Sequence, residues 1–269
     1  MRQFITKQCL IMVILMLHVV FACAANWEEA NGPYTTIVIS DTGPGNAYYI
    51  YRPITLSSNA HPIVVLCVGS NAHPKNYDAL LTQLASHGVI VIASTDPYQS
   101  DGSKASAGVN WLIDQNGISK SEYYQKLIPS KVLAVGHSVG GNGAILASIK
   151  NPRITSLLLY APALESANSS YLLIPTFYIS GSLDSTVPPH LVRAKYQETA
   201  KANAWYGENT SQSHVGFGRN SSIQYYTRAW VYTHLFGDSG TARGSFYGPN
   251  WTLNNASGWS VKLKNNNAP

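Results

Sequence analysis

The stretch Gly136-His137-Ser138-Val139-Gly140 decides the fold that we expect for this chain. An apolar run precedes it at 131–135, and a small-residue segment that can begin a helix follows at 141–147. A strand, a sharp turn and a helix in that order form a nucleophile elbow, whose central serine has a strained backbone. The glycines two positions before and after the serine supply the side-chain-free neighbours that this turn needs. The motif therefore predicts a Ser138 hydroxyl that projects from the end of a strand, beside the start of a helix.

Short runs rich in Val and Ile alternate along the chain with longer helical patterns. This alternation predicts an α/β protein with a mostly parallel twisted sheet and helices on both faces. Together with the nucleophile elbow, it predicts an α/β-hydrolase fold. The first two candidate strands alternate and predict an antiparallel pair, whereas the later ones are apolar throughout, as strands buried on both faces should be. The candidate strands are 35–40, 47–51, 63–68, 89–94, 131–135, 156–160, 176–180 and 202–206, and the candidate helices are 77–87, 105–116, 142–150, 189–200 and 221–236.

Two features of this pattern concern a binding site. Ligands of parallel sheets bind beyond the carboxyl ends of the strands, which is where Ser138 falls. Only 15 residues separate the candidate strands 156–160 and 176–180. That gap leaves no room for a large lid, so we expect an open site.

The first 24 residues have the features of a signal peptide. Arg2 and Lys7 form a basic region, an apolar core follows, and Ala22-Cys23-Ala24 is a small-residue cleavage signal. We therefore expect a secreted or periplasmic protein without a transmembrane span. In an alternative interpretation, residues 20–23 resemble a lipobox, and Cys23 carries a lipid anchor.

Removal of this signal peptide leaves a chain long enough for one α/β domain, which we place at 25–236. Residues 237–269 are rich in Gly, Asn and Ser, and predict an irregular C-terminal strap packed on that domain. The formal charge falls from +5 to +3 when Arg2 and Lys7 are removed, and no basic cluster suggests nucleic-acid binding. We expect a monomer.

Cysteine and histidine usage gives no sign of a metal site. Cys67 is the only cysteine after the signal peptide, and it falls in an apolar run, so we expect a small buried core residue. No spacing of His, Asp or Glu suggests metal ligands. We therefore expect neither a metal nor another cofactor.

A serine hydroxyl needs an adjacent base, and the base needs a carboxylate that orients it. In chains with this elbow the acid and the histidine follow the serine in that order. The candidate acid is Asp184, in the loop after a late strand, and Glu165 is the alternative. The candidate base is His214, which lies in a loop flanked by glycine after the last strand. His190 and His234 fall on helices, where a base could not reach the carboxyl edge of the sheet.

Two backbone N–H groups should face the oxyanion that forms when the serine attacks a carbonyl. The residue after the serine, Val139, supplies one, and the loop after the strand 63–68 supplies the other, for which we select Ser70. His137 should point away from the serine or line the wall of the site. The residues that we expect to contact substrate are His73, Tyr98, Ala163, Thr186, Trp205 and Phe217.

On these residues, the chain resembles bacterial secreted α/β-hydrolases of the cutinase and poly(ethylene terephthalate) hydrolase type, within the dienelactone-hydrolase-like and chlorophyllase-like group. The matching stretches are 32–34, 84–92, 136–141, 161–162, 184–188 and 213–214. The resemblance implies a catalytic triad of Ser138, Asp184 and His214, with Ser70 and Val139 as amide donors. It also implies cleavage of small-molecule or polymeric carboxylic esters through an acyl-enzyme, without a cofactor.

The chain departs from that family in three ways. Polyester hydrolases usually have an aromatic residue where this chain has Ser70, and a tryptophan where it has Ala163. They often have a C-terminal disulfide, for which this chain has no cysteines. The resemblance therefore predicts a serine esterase without the aromatic clamp that grips a terephthalate ring.

Two other functions stay open from the sequence. The same triad could transfer an acyl group to an acceptor other than water, or hydrolyse a thioester. A hydrolase scaffold could also serve as a catalytically silent binding protein.

Overall fold

The computed structural model describes residues 26–57, 59–163 and 167–269. The predicted signal peptide 1–24 and the alternative acid Glu165 lie outside these residues. Nine strands occur in the described residues: β1 (Thr36–Thr42), β2 (Tyr48–Pro53), β3 (His61–Cys67), β4 (Ile90–Ser94), β5 (Leu127–His137), β6 (Ser156–Tyr160), β7 (Thr176–Gly181), β8 (Ala204–Asn209) and β9 (Trp259–Lys264). The α-helices are α1 (Asp78–Ser86), α2 (Ser103–Gly117), α3 (Val139–Lys150), α4 (Pro189–Glu198), α5 (Ser221–Val231) and α6 (Thr241–Gly244), and a π-helical turn, Tyr232–Phe236, prolongs α5.

All nine strands form one sheet, in the order β1-β2-β4-β3-β5-β6-β7-β8-β9. The strands from β4 through β3 and β5 to β8 are parallel, whereas β1 with β2, β2 with β4, and β8 with β9 pair antiparallel. The predicted α/β class, the mostly parallel sheet and the antiparallel first pair are confirmed. The carboxyl ends of the parallel strands face one edge of the sheet, so the loops that follow them lie close together.

Helices cover both faces of the sheet. On one face, α2 contacts α3, and Lys195 of α4 donates to the carbonyl oxygen of Ala167, whose own N–H donates to Asn142 of α3. On the other face, the buried Arg228 of α5 donates to Gln83 of α1. Between β6 and β7, the described residues form one short 3-10 turn, Ser169–Tyr171, and no larger insertion covers the carboxyl edge there.

The C-terminal segment differs from the prediction. Residues 237–269 pack on the domain, but they are irregular only in part, because β9 adds an antiparallel strand to the edge of β8. Trp259 of β9 is buried, and its indole N–H donates to Ser222 at the start of α5. Gly207 of β8 makes room for that ring, since a Cβ at Gly207 would lie 2.7 Å from it. Apolar and polar residues alternate along β9, and this strand pattern was passed over in the prediction of an irregular segment.

Apolar side chains fill the space between the sheet and the helices. Every residue of β3, β4 and β6 is buried, as expected for central strands covered on both sides. Cys67 ends β3, and burial raises the pKa of its thiol to about 12. The sequence-based expectation of a buried cysteine is therefore confirmed.

The loop after β4 lies directly against α3. A Cβ at Gly143 of α3 would lie 1.8 Å from the carbonyl oxygen of Gln99. Asn142 strengthens the same contact, because its side-chain amide donates to the carbonyl oxygen of Ser100. This packing therefore requires glycine at position 143.

Replacing Gly143 by alanine should lower the free energy of unfolding by about 2 kcal/mol, because the new methyl group collides with backbone. Gly117→Ala is the matched control, since Gly117 ends α2 and nothing lies within 4 Å of its Cβ position. The control should be neutral, or more stable by up to about 1 kcal/mol through helix propensity. Urea unfolding of both variants checks this, and equal stabilities would contradict it.

Several histidines lie in the interior in their neutral form. Burial lowers the pKa of His137 to about 4 and of His234 to about 3. Burial also lowers the pKa of His61 and of His87. Between the unfolded pKa near 6.5 and these lower values, the unfolded chain binds protons that the folded chain does not bind. Stability must therefore fall as the pH falls through this window.

We expect His234→Phe to reduce this acid sensitivity, because the Nε2 atom of His234 is buried and has no hydrogen-bond partner in the described residues. Between pH 5 and pH 6.5, the unfolding free energy of the variant should rise with pH less steeply than that of the wild type, by about 1 kcal/mol per pH unit. Chemical denaturation at a series of pH values measures both slopes. Above pH 8 the slopes should coincide, and parallel curves at every pH would disprove the assignment.

Candidate active site

Ser138 occupies the turn between β5 and α3, with a backbone φ of 55° and ψ of −126°. This positive φ is strained for a residue with a side chain. The turn is held by backbone hydrogen bonds: the Ser138 N–H donates to Tyr160, and the Ser138 carbonyl oxygen accepts from Gly141 and Ala163. The serine hydroxyl is therefore fixed at the carboxyl end of β5, as the sequence motif predicts.

The two glycines of the motif lie where side chains cannot fit. A Cβ at Gly136 would lie 2.6 Å from the carbonyl oxygen of Gly140, and one at Gly140 would lie 2.3 Å from the carbonyl oxygens of Cys67 and Val68. The sharp turn itself requires small residues at these positions. The structure gives a further reason, namely the contact between the first turn of α3 and the end of β3.

Ser138, His214 and Asp184 are joined in one hydrogen-bonded series. The Ser138 Oγ lies 3.0 Å from His214 Nε2, and His214 Nδ1 lies 2.8 Å from Asp184 Oδ2. With the proton of the neutral imidazole on Nδ1, that nitrogen donates to the carboxylate and leaves Nε2 to accept the serine proton. The residues come from loops after β5, β7 and β8, whose carboxyl ends share one edge of the sheet.

Asp184 is held as a buried carboxylate. Its side chain is 0% exposed, and its second oxygen, Oδ1, accepts hydrogen bonds from the backbone N–H groups of Thr186 and Val187, at 2.9 and 2.8 Å. Buried carboxylates need such partners, because an unpaired charge would be costly to bury. One oxygen is thus fixed by the loop, and the other is directed at His214.

The loop that carries His214 is fixed by Gln212. The side-chain amide of Gln212 donates to the carbonyl oxygens of Ser213 and Val215, and its backbone carbonyl accepts from Leu183 beside Asp184. Gly181 permits this contact, since a Cβ there would lie 2.1 Å from the Gln212 carbonyl oxygen. The acid loop and the histidine loop are therefore packed backbone to backbone.

Ser70 and Val139 lie beside Ser138 and line the same cavity. Val139 is the first residue of α3, so its N–H is one of those that an α-helix leaves without an intrahelical acceptor. Gly69, which precedes Ser70, is close to the serine, since a Cβ at Gly69 would lie 3.4 Å from the Ser138 Cβ. Both backbone amides are thus near the serine, and their role as oxyanion donors stays a prediction.

A cavity of about 780 Å³ opens above these residues. Its apolar part includes Tyr77, Val187 and Phe217, and its wider lining includes the predicted contacts Ala163 and Thr186. Phe217 is buried and stacks on Tyr160, with ring centroids 5.4 Å apart. Ser70 and Ala163 leave the positions of an aromatic clamp without rings, as the sequence indicated.

Trp205 is not a substrate contact, and the prediction for it is wrong. Its ring is fully buried against Trp230 and Tyr247, and its indole N–H donates to the carbonyl oxygen of Phe246. Residues 237–269 supply two of these neighbours. The error arose because the sequence did not show where that segment packs.

His73 and Tyr98 are not among the described residues that line this cavity, and their contact with substrate stays a prediction. His73 instead caps the 3-10 turn Pro74–Tyr77, since its Nδ1 accepts from the Lys75 N–H at 3.2 Å. Tyr98 is 71% exposed in the loop after β4, where its N–H donates to Asp96. Local hydrogen bonds therefore set the positions of these two loop residues, which the order of the loops along the chain does not reveal.

From the sequence, the position of His137 was left open between two alternatives, and Tyr77 was not singled out. His137 lines the cavity, as one of the two alternatives predicted, and also contacts the backbone of His214. Tyr77, the last residue of the turn that precedes α1, reaches His137 with its hydroxyl group. The position of His137 next to the serine was the one sequence signal for this pair.

Within the described ranges, no group of His, Cys, Asp and Glu side chains could hold a metal ion. No helix in these ranges is both long enough and apolar enough to cross a membrane.

Comparison with known proteins agrees with the fold. A sequence profile of the PET hydrolase-like family matches residues 22–260. The chain is 24% identical to cutinase 1 of Thermobifida cellulosilytica over 60% of its own length and 63% of that protein. It is 24% identical to a cutinase of Thermobifida fusca over 60% of its own length and 55% of the relative.

A third relative is a bis(hydroxyethyl) terephthalate hydrolase of Streptomyces coelicolor. The chain is 22% identical to it over 60% of its own length and 53% of the relative. These alignments therefore span between about half and two thirds of the relatives' length. The profile covers most of the chain, including Ser138, Asp184 and His214. The chain belongs to the PET hydrolase-like family of α/β-hydrolases.

Proposed function

We propose that this protein is a serine hydrolase that cleaves carboxylic esters through an acyl-enzyme on Ser138. The observation that carries the proposal is the series of contacts from Ser138 Oγ to His214 Nε2 and from His214 Nδ1 to Asp184 Oδ2. The family supports the same chemistry, because the similar proteins named above are cutinases and a terephthalate ester hydrolase.

In the proposed reaction, Ser138 Oγ bonds to the ester carbonyl carbon while His214 Nε2 takes the hydroxyl proton. The carbonyl electron pair moves onto oxygen, and the backbone amides of Ser70 and Val139 stabilise that oxyanion. Collapse of the tetrahedral intermediate breaks the bond to the alcohol oxygen, which takes the proton from His214. A water molecule then gives a proton to His214 Nε2 while its oxygen bonds to the acyl carbon, and a second tetrahedral intermediate forms. Its collapse breaks the bond between the acyl carbon and Ser138 Oγ, which takes the proton back from His214, and the acid is released. Asp184 orients the imidazole and stabilises its charged form.

The geometry favours this function over a silent scaffold, because a binding protein has no need of a strained serine aligned with a histidine and a buried carboxylate. Thioester hydrolysis and acyl transfer use the same groups, and added alcohol acceptors separate transfer from hydrolysis through their products. We also propose that residues 1–24 direct export. Mass spectrometry of the exported chain identifies its first residue and any lipid on Cys23.

Ser138→Ala should reduce turnover of p-nitrophenyl esters by about 10⁴-fold or more, because the nucleophile is lost. Asp184→Asn should cost about 10⁴-fold, because it favours the wrong imidazole tautomer. The matched control is Ser180→Ala, which removes another buried hydroxyl, one bonded to Tyr206 at 2.7 Å. This control should keep the wild-type kcat.

The same assay, with acyl chains from C2 to C12, measures the acyl preference of the wild type. The proposal is contradicted if the wild-type protein neither hydrolyses these esters nor reacts with a fluorophosphonate probe at Ser138. That result would favour the catalytically silent scaffold. Reaction with the probe, without ester turnover, would instead indicate a different acyl substrate or acceptor.

The charge of the cavity bears on the substrate. None of the described residues that line it is acidic, and Arg219 supplies its one fixed charge. Arg219 is exposed, and no described carboxylate pairs with it. We therefore infer that neutral esters, and esters that carry a free carboxylate, enter this site more readily than cationic esters.

Replacing Arg219 by alanine should raise KM about threefold for a monoester of a dicarboxylic acid at low salt, because the exposed cation attracts its free carboxylate. KM for a neutral ester of equal length should stay the same. Arg153→Ala, which removes an exposed cation after α3, controls for net charge. Steady-state kinetics at low and high salt test this, and an equal effect on both esters would contradict it.

A further inference from the structure

A directed set of hydrogen bonds joins the loop after β3 to the loop of His214. The backbone N–H of Gly69 donates to the hydroxyl oxygen of Tyr77, at 3.1 Å. That hydroxyl lies 2.7 Å from His137 Nδ1, and His137 Nε2 lies 2.8 Å from the carbonyl oxygen of His214. We call Tyr77 and His137 together the bridge.

The direction of each bond follows from its partners. The carbonyl oxygen of His214 can only accept, so His137 Nε2 carries a proton and donates. A neutral imidazole then has an unprotonated Nδ1, which accepts the proton of the Tyr77 hydroxyl. The hydroxyl oxygen in turn accepts from Gly69. Each of these four groups is thus satisfied by one tautomer of His137.

Burial keeps both members of the bridge neutral. Tyr77 and His137 are each 7% exposed. Burial lowers the pKa of His137 to about 4 and raises the pKa of Tyr77 to about 12. A protonated imidazole would carry hydrogen on both nitrogens and could not accept from the phenol. The bridge therefore keeps its bonds across the pH range in which enzymes of this kind are assayed.

The bridge also has little freedom to move. The ring of His137 lies 4.9 Å from that of His214 and 5.5 Å from that of Phe217. A Cβ at Gly69 would lie 3.1 Å from His137 Nδ1, so the backbone of the β3 loop is in close contact with the same ring. Peptide covalent bonds connect His137 to Ser138 and Gly69 to Ser70.

We propose that Tyr77 and His137 are positioning residues that hold the oxyanion loop at Gly69 and Ser70 at a fixed distance from the histidine loop at His214. This inference rests on the function proposed above, because it assigns the bridge to the alignment of that serine site. Reacting groups need alignment to well under 1 Å, and such alignment is lost when supporting contacts are removed. Gln212 holds the His214 loop from the side of Asp184, and the bridge holds it from the side of Ser70.

The test replaces Tyr77 by phenylalanine, which keeps the ring and removes the hydroxyl. Tyr178→Phe is the matched control, because Tyr178 is also buried and its hydroxyl is bonded to Thr199 at 2.7 Å, away from the cavity. Both variants should lose similar stability in thermal unfolding. In Tyr77→Phe, kcat on a soluble p-nitrophenyl ester should fall about tenfold while KM changes less than twofold, because a contact that matters for the transition state is weakened. Tyr178→Phe should keep the wild-type kcat.

Two further readouts separate positioning from a general loss of structure. In ¹⁵N NMR of histidine-labelled protein, His137 should carry its proton on Nε2 in the wild type and in both variants, because the His214 carbonyl oxygen still accepts from it. The Nδ1 resonance of His137 should move to the position of a nitrogen without a hydrogen bond in Tyr77→Phe, and it should stay unchanged in Tyr178→Phe. His137→Gln should keep more kcat than His137→Phe, since an amide can still accept from Tyr77 and donate to His214. The amides of residues 69–70 and 213–216 should exchange with solvent faster in Tyr77→Phe than in Tyr178→Phe.

Equal kcat values in Tyr77→Phe and Tyr178→Phe, or an unchanged His137 Nδ1 resonance in Tyr77→Phe, would overturn the proposal. The NMR and exchange measurements need no substrate, so they test the bridge even if the wild type proves to have no esterase activity. In that case the proposed function fails at the fluorophosphonate and ester assays. The test of the bridge is then whether loss of the Tyr77 hydroxyl speeds amide exchange in both loops. Unchanged exchange in Tyr77→Phe would contradict the bridge.

Discussion

The first turn of α3 lies against the end of β3 so closely that no side chain fits between them. Gly140 meets the carbonyl oxygens of Cys67 and Val68, and Gly136 meets the backbone of Gly140. Because this contact joins backbone to backbone, it fixes Ser138 relative to two neighbouring parallel strands. The loops that carry Gly69, Asp184 and His214 leave the same edge of the sheet. The alignment of the whole site therefore depends on one contact that only glycine permits.

Most of the sheet could be predicted because the central strands are buried on both faces. Apolar runs such as those of β4 and β6 are hard to mistake, and the glycine-serine motif marks the end of β5. The order of serine, acid and histidine along the chain then left few downstream candidates. The structure brings the three predicted residues, Ser138, Asp184 and His214, into one hydrogen-bonded series.

What the sequence could not show depends on contacts between distant segments. The alternating side chains of β9 are typical of a strand, but its pairing with β8 is a contact between distant segments. Trp205 is a core residue because the C-terminal segment covers it, and the His73 side chain caps the turn that follows it. Tyr77 approaches His137 across 60 residues, and no local pattern encodes that distance. Hydrogen bonds between side chains that are far apart in the sequence are thus the part of the site that only the folded structure reveals.

Cys67 ends β3, where its backbone lies against Gly140, and it is the free cysteine of the described residues. Thiol chemistry begins with the thiolate, and this thiol is fully covered and stays protonated at ordinary pH. In the folded state, the described residues therefore present no sulfur that reacts with oxidants, heavy-metal reagents or disulfides. Its chemistry should be the same in reducing and in oxidising surroundings, so a change of redox compartment leaves the serine site untouched.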